Sequence, residues 1–192
     1  RAAGLWPDTV GGAPRVETQS TLYPMVRGRI SAINGQAPRD AVPPDARGDN
    51  SLRRELNLTW QATLPEGNRV VAGQWFRTPS EPQGWMSEVE ATASAVASTV
   101  PISVEEGLAA RLGLGVGNEM TFTVGGDTIT TRIDSLRSLN WDSFNPNFFV
   151  IFTPGVLESF GHSFITAFHL PDAEQSLVRQ LVSDFPGVSL LN

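Results

Sequence analysis

The residues best suited to chemistry are the two histidines and the serine beside one of them. His162 and His169 are the only histidines, and Ser163 directly follows the first. A serine and a histidine brought together by folding can act as nucleophile and base, whatever their order in the chain. GHSF at 161–164 lacks the second glycine of the G-x-S-x-G nucleophile elbow. We therefore predict no catalytic residues. The alternative interpretation is a secreted, esterase-like hydrolase whose serine and histidine meet only in the folded protein.

Metal and cofactor sites have little support in the sequence. The chain has no cysteine, which excludes disulfides and thiolate zinc sites, and the two histidines have no ligand-type neighbours at zinc spacing. The stretch GLGVGN at 113–118 resembles a phosphate loop, but it follows a predicted helix and leads into a predicted strand. The dinucleotide fingerprint needs the reverse order. We interpret GLGVGN as a helix cap followed by a turn, and predict no cofactor and no metal.

Composition narrows the class of protein. The 192 residues are 40% hydrophobic and 18% charged, which is typical of a folded globular chain. The net charge is -6, and all 14 basic residues are arginines scattered along the chain. A nucleic-acid-binding surface needs clustered positive charge, so we predict no nucleic-acid partner.

Two aromatic residues stand out as contact candidates. Trp141 and Phe144 lie in the polar, turn-like stretch LNWDSFNPN, just before the apolar run FFVIF at 148–152. Large aromatic groups exposed in a loop indicate a contact site, whereas the alternative is that they fold back onto the core. The run FFVIF has strand length and no polar position, which predicts a central strand.

The patterns predict an α+β protein that is richer in strand than in helix. Strands are expected at 26–33, 56–64 and 70–76, and a hairpin at 120–133 around Gly125-Gly126. Ser103 and Glu106 form a capping-box pattern, which predicts a helix that begins there and ends at Gly113. A short helix is expected from Pro154 to Gly161.

The C-terminal residues predict a β-α-β unit over 163–192. Leu177, Leu181 and Phe185 recur at helical spacing and are expected to face a sheet. The helix is expected to end at Pro186-Gly187, before a final strand.

Four stretches carry a family resemblance: LYPMVRGRISAINGQ, RELNLTWQATLPEGNRVVAGQWF, ISVEEGLAARLGLGVGNEMTFTVGG and SLRSLNWDSFNPNFFVIFTPGVLE. Together they resemble the periplasmic loop of bacterial ABC-transporter permeases, in the superfamily that includes MacB, LolC/LolE and FtsX. The resemblance is greatest to the YbbP-like permeases.

The resemblance implies a MacB-like periplasmic domain, in which a β-α-β porter-type part is interrupted by a β-rich sabre-type insertion. On that basis residues 1–38 and 144–192 form the porter-like part, and residues 39–143 form the insertion. The helix that usually precedes the LYPMVRGR block has no counterpart here. The N-terminal portion of the porter-like part is therefore expected to be shortened or rebuilt.

The resemblance also implies a mechanical, non-enzymatic function. The domain would lie at the periplasmic face of the bacterial inner membrane and relay the movement driven by a cytoplasmic ABC ATPase. The recipient would be a hydrophobic or lipid-like substrate or a periplasmic partner protein, with a TesA-type esterase as one candidate. Trp141 and Phe144 would be contact residues at the junction of the two parts.

Overall fold

The computed structural model describes residues 21–76, 99–140, 146–167, 180 and 183–189. The chain divides into two compact units. One unit comprises residues 22–167, and the other comprises residues 1–21 and 168–192. The first unit contains nearly all of the described structure and is described by itself.

Eight strands and one α-helix make up the described part of the first unit. The strands are β1 (Tyr23–Ile33), β2 (Leu56–Trp60), β3 (Asn68–Gly73), β4 (Val100–Glu105), β5 (Glu119–Val124), β6 (Asp127–Leu139), β7 (Val150–Phe152) and β8 (Ser163–Ile165). The helix is α1 (Glu106–Leu112), and two short 3-10 helices span Pro44–Gly48 and Asn50–Leu52. The predicted α+β class is confirmed in this mostly β form.

Six of the strands close into a barrel-like ring. Its pairs run β1–β2, β2–β7, β7–β4, β4–β6, β6–β5 and back to β1. The β2–β7 and β4–β6 pairs are parallel, and the other four are antiparallel. Closure leaves the ring strands without free edges, while β3 and β8 pair outside the ring with β6 and β1.

A large apolar cluster, which we call the inner core, is made by ring strands and α1. It contains fully buried side chains such as Ile30, Leu58, Phe122 and Phe152. The rings of Phe122 and Phe152 meet edge to face with centroids 5.5 Å apart. The predicted central strand at FFVIF is confirmed as β7, whose three residues are all buried. Burial of this apolar area supplies the main stabilisation of the unit.

The helix α1 begins later than predicted. Its N-cap is Glu105, whose carboxylate accepts hydrogen bonds from the backbone N–H groups of Gly107 and Leu108. Ser103 instead belongs to β4 and is hydrogen-bonded to the Ser135 hydroxyl at 2.9 Å. The capping-box prediction is wrong because β4 continues directly into the helix. The predicted end is confirmed, since Gly113 is the left-handed C-cap with φ 69°.

Other boundary predictions were partly correct. The hairpin around Gly125-Gly126 is confirmed as β5 and β6. The strand at 56–64 ends at Trp60, four residues early, because the chain turns towards β3. The helix predicted from Pro154 to Gly161 is wrong, because this segment consists of turns.

In the second unit, Gln180, Ser183 and Asp184 are helical, within the predicted helix. Leu177 and Leu181 lie outside the described residues. Phe185, which we predicted to be buried, is 45% exposed. In the described ranges, no helix has the length and apolar content that crossing a membrane requires.

Candidate interaction site

The first and last strands of the 22–167 unit lie side by side. Residues Tyr23–Met25 of β1 pair antiparallel with β8, in the register Tyr23 to Ile165 and Met25 to Ser163. We call these six residues the terminal strand pair. Because the chain enters the unit at residue 22 and leaves it after residue 167, both connections to the rest of the protein meet this one pair. Both connections of the unit are therefore at strands that pair with each other.

A second cluster of apolar side chains, the outer cluster, includes three residues of the terminal strand pair. Its buried members are Tyr23, Phe76, Phe148 and Ile151, with Met25, Trp75 and Ile165 packed against them. Ile151 lies between Val150 and Phe152, which both belong to the inner core. Since side chains alternate along a strand, the outer cluster lies on the opposite face of β7.

The contact between Tyr23 and Phe148 joins the terminal strand pair to the segment before β7. The two ring centroids are 6.1 Å apart with an interplanar angle of 45°. Both side chains are buried. Tilted aromatic pairs at this separation contribute beyond simple area burial, so the contact holds the two segments together.

Arg137, on β6, is the largest fully buried side chain in the described residues. Its guanidinium donates a hydrogen bond to the carbonyl oxygen of Phe148. The Nε and Nη1 atoms have no hydrogen-bond partner in the described part of the chain. Burial lowers the pKa of Arg137 to about 10, and the negative charge of Glu105 opposes this shift.

Glu105 lies opposite Arg137 in the parallel β4–β6 register. Its two carboxylate oxygens are held by α1, at 2.8 Å from the Gly107 nitrogen and 2.6 Å from the Leu108 nitrogen. Arg137 is thus held by the backbone before β7, and the negative charge of Glu105 acts on it across the strand pair.

Trp141 and Phe144, the predicted contact residues, lie outside the described residues. The chain on both sides of 141–145 is described and is anchored. The backbone nitrogen of Asn140 donates to the Gly67 carbonyl at 3.1 Å. On the other side, Phe148 is held by Arg137 and by Tyr23. The segment that carries both aromatics is therefore connected at one end to the outer cluster.

Comparison with known proteins gives one clear relationship. The chain is 35% identical over 172 residues to the protein described as "Uncharacterized ABC transporter permease YbbP" of Escherichia coli (strain K12). The alignment covers 90% of this chain and 18% of that permease. The chain is a YbbP-like permease segment. No family model matches the sequence, and no solved structure matches it.

In the described residues of the YbbP-like segment, His162 and Ser163 do not form a nucleophile–base pair. His162 Nδ1 lies 2.9 Å from the carbonyl oxygen of Phe160. Its ring meets Trp60 and Phe164 edge to face, each at 5.3 Å between centroids. Ser163 is exposed on β8, and His169 lies outside the described residues. The hydrolase alternative has no support from this geometry.

The GLGVGN stretch of the YbbP-like segment is confirmed as a cap and a turn. Gly113 ends α1, and the Asn118 side chain accepts a hydrogen bond from the Gly115 nitrogen at 2.7 Å. In the described ranges, no three His, Asp or Glu side chains are grouped so that they could hold a metal ion.

Sequence reasoning missed Arg137 as a functional candidate. A signal was present, because Thr131, Ile133, Ser135 and Arg137 share one face of a single long strand. All four are buried. A charged residue that continues a buried two-residue period indicates a fixed polar contact in the interior.

Proposed function

We propose that this chain is the periplasmic domain of a YbbP-like ABC transporter permease and that it relays ATP-driven movement to a contact segment at Trp141 and Phe144. The movement would come from a cytoplasmic ABC ATPase that works with the parent permease. This role needs no chemistry within the domain itself. It needs a mechanical connection between the rest of the permease and a contact surface.

The main support for the proposal is a short series of buried contacts. These contacts link the terminal strand pair to Phe148, which follows the contact segment in the chain. Tyr23 packs on Phe148, and the carbonyl of Phe148 accepts a hydrogen bond from Arg137. Arg137 lies on β6, four residues before Trp141. Buried, packed contacts transmit displacements because interiors are dense and have few alternative arrangements.

For the recipient of the movement we propose a periplasmic protein or a hydrophobic, lipid-like substrate. A TesA-type esterase is the partner that the family resemblance suggests. Aromatic side chains such as Trp141 and Phe144 suit either recipient, because they bury large apolar areas at low conformational cost.

The domain has two proposed parts. We propose a MacB-like arrangement in which residues 1–38 and 144–192 form a porter-like part and residues 39–143 form an insertion. Strands β1 and β7 of the porter-like part share one sheet with β2 and β4 to β6 of the insertion. In this arrangement, movement of the porter-like part passes to the insertion through backbone hydrogen bonds.

The proposed location can be tested by cysteine labelling, because the 192 residues contain no cysteine. Val71→Cys, at an exposed position on β3, is introduced into a parent permease stripped of any other cysteines. We expect a membrane-impermeant maleimide to label this variant in intact spheroplasts. The matched control is Ile133→Cys, which is fully buried and should react only after denaturation. Labelling of the Val71→Cys variant only after lysis would place the domain on the cytoplasmic side.

The proposed contact can be tested with a photo-crosslinking amino acid at position 144 or at position 71 of the parent permease. The second component is a purified TesA-type esterase. We expect adducts from position 144 and none from position 71. Equal adducts from both positions would contradict a contact role for the segment. Adducts from neither position would exclude the esterase as the partner, and a lipid-like substrate would then be the proposed recipient.

A further inference from the structure

A groove on the surface of the 22–167 unit is lined by three arginines. It has a volume of about 780 Å³ and lies between β1, the segment after it and the β5–β6 turn. Arg27 and Arg29 come from β1, and Arg39 comes from the following loop. Ser31 and Thr123 add hydroxyl groups to the same lining.

The backbone fixes the direction of the two β1 arginines. Gly28 lies between them, and a Cβ atom at Gly28 would be 2.4 Å from Leu58 Cδ1 and 2.9 Å from Val124 Cγ2. This side of the strand faces the inner core without room for a side chain. Alternation along β1 therefore holds both Arg27 and Arg29 on the outer face, two residues apart.

The three guanidinium groups are available for a ligand. Arg27, Arg29 and Arg39 are all exposed. The ion pairs within the described ranges join Arg111 to Asp49 and Arg132 to Asp134, so none involves these three. No side-chain hydrogen bond of theirs to another described residue is present either. Counted with Asp40 and Glu55, the lining has a net charge of +1, in a chain whose net charge is -6.

We infer that this groove binds a phosphate ester. Arginine presents planar N–H donors that match phosphate oxygens two at a time. Three guanidinium groups offer more donors than the two oxygens of a carboxylate can accept. Asp40 and Glu55, which also line the groove, are suited to a hydroxyl or cationic group on the esterified alcohol.

The groove does not fit a protein or nucleic-acid partner. Its lining contains no aromatic side chain, whereas protein contact sites are typically centred on aromatic anchors. A nucleic acid would be repelled by the net charge of -6 beyond the groove. The ester has two possible sources, a soluble phosphate ester or a phospholipid headgroup.

The test compares two triple variants of the 192-residue chain that make the same change in charge. The groove variant is Arg27→Gln, Arg29→Gln and Arg39→Gln. The control is Arg47→Gln, Arg53→Gln and Arg69→Gln, which changes exposed arginines outside the groove. The probes are glycerol 3-phosphate, measured by titration calorimetry, and phosphatidylcholine vesicles with and without phosphatidylglycerol, measured by flotation. Thermal melts establish that each variant folds, and single substitutions replace the triple variant if it does not.

We expect wild type and control to bind one of the probes, and the groove variant to bind it at least about tenfold more weakly, because it lacks the charged hydrogen bonds to the phosphate oxygens. Binding of glycerol 3-phosphate would identify a soluble ester as sufficient. Binding only to phosphatidylglycerol vesicles would identify the headgroup in a membrane. Binding of neither probe, or equal loss in the control variant, would overturn the inference.

Discussion

The inner core and the outer cluster share the strands β1 and β7 but differ in construction. The inner core is made largely of aliphatic side chains enclosed by the ring, with α1 packed against it. The outer cluster is smaller, is dominated by aromatic rings and includes three residues of the terminal strand pair. Tyr23 in β1 and Ile151 in β7 belong to it, while Val26 and Val150 of the same strands belong to the inner core.

This difference indicates that the inner core mainly provides stability and the outer cluster mainly connects segments of the chain. The inner core holds most of the buried apolar area, which determines stability. The outer cluster buries less, but it contacts the chain where the unit begins, where it ends and where the contact segment rejoins the sheet. We therefore expect substitutions in the inner core to change folding strongly. Substitutions at the contact segment should change function with little effect on folding.

The largest expected effect is at the helix that packs on the inner core. Leu108→Ala removes a fully buried side chain from α1. Truncation of a packed leucine costs about 2–5 kcal/mol, part of it from the cavity that remains. Urea denaturation followed by circular dichroism gives the free energy of unfolding. The matched control is Val116→Ala, at an exposed position, for which a loss above about 0.5 kcal/mol would contradict the comparison.

The next effect is expected at Gly28 of β1, where the side chain of Leu58 leaves no room for a methyl group. Gly28→Ala places a methyl group 2.4 Å from Leu58 Cδ1, and we expect a loss of about 1–3 kcal/mol from overpacking. The double variant Gly28→Ala with Leu58→Val removes the clashing carbon and should lose less than the sum of the two single changes. Strict additivity in the same denaturation experiment would show that the two side chains do not meet.

Much of the inner core was predictable, and the reason is periodicity. The alternation through β1, β5 and the first part of β6, and the apolar run at β7, follow the pleat of a strand with one buried face. The C-cap at Gly113 was predictable because a left-handed residue there favours glycine. These features depend on neighbouring residues only.

The outer cluster and the start of α1 were not predictable from neighbouring residues. Ser103 and Glu106 match a capping box, but the pairing of β4 with β6 and β7 extends the strand to Glu105. Ring closure depends on contacts between residues far apart in sequence, such as β2 with β7. The burial of Arg137 depends on the same closure, since its partner is the carbonyl of Phe148.

A smaller effect is expected at Asp49, which links the loop before β2 to α1. Its carboxylate accepts hydrogen bonds from the Ser51 nitrogen at 2.8 Å and from Arg111 Nε at 3.0 Å. Partial burial raises its pKa, but the hydrogen bonds from Ser51 and Arg111 and the charge of Arg111 outweigh this and lower the pKa below 3.8. At pH 7, Asp49→Asn should cost about 0.5–1 kcal/mol, as for a cap or an exposed ion pair.

The pH dependence of this difference follows from the direction of the shift. Because the pKa is lower in the folded than in the unfolded state, the contribution of Asp49 is complete above the unfolded value of about 3.8. It is lost as the pH falls through the lower, folded value. The difference in unfolding free energy between wild type and Asp49→Asn should therefore shrink below about pH 4. A difference that grows on acidification would contradict the assigned hydrogen bonds.

The smallest effect on stability is expected at the contact segment. Trp141→Ser with Phe144→Ser should change the free energy of unfolding of the 192-residue chain by about 0.5 kcal/mol or less, as for surface positions. The denaturation experiment used for Leu108→Ala measures it under identical conditions. Unfolding of this double variant would mean that the two aromatics belong to a core, and the comparison between the regions would fail.

The relay itself is tested most directly by a fluorescent probe in the parent permease assembled with its ATPase. An environment-sensitive dye is attached to a cysteine that replaces Phe144. The comparison position is Val71→Cys, which is exposed on β3. We predict that ATP changes the emission at position 144 and not at position 71. Phe148→Leu, which removes the ring contact with Tyr23, should reduce the change while ATP hydrolysis continues. An unchanged signal at position 144, or equal changes at both positions, would contradict the relay.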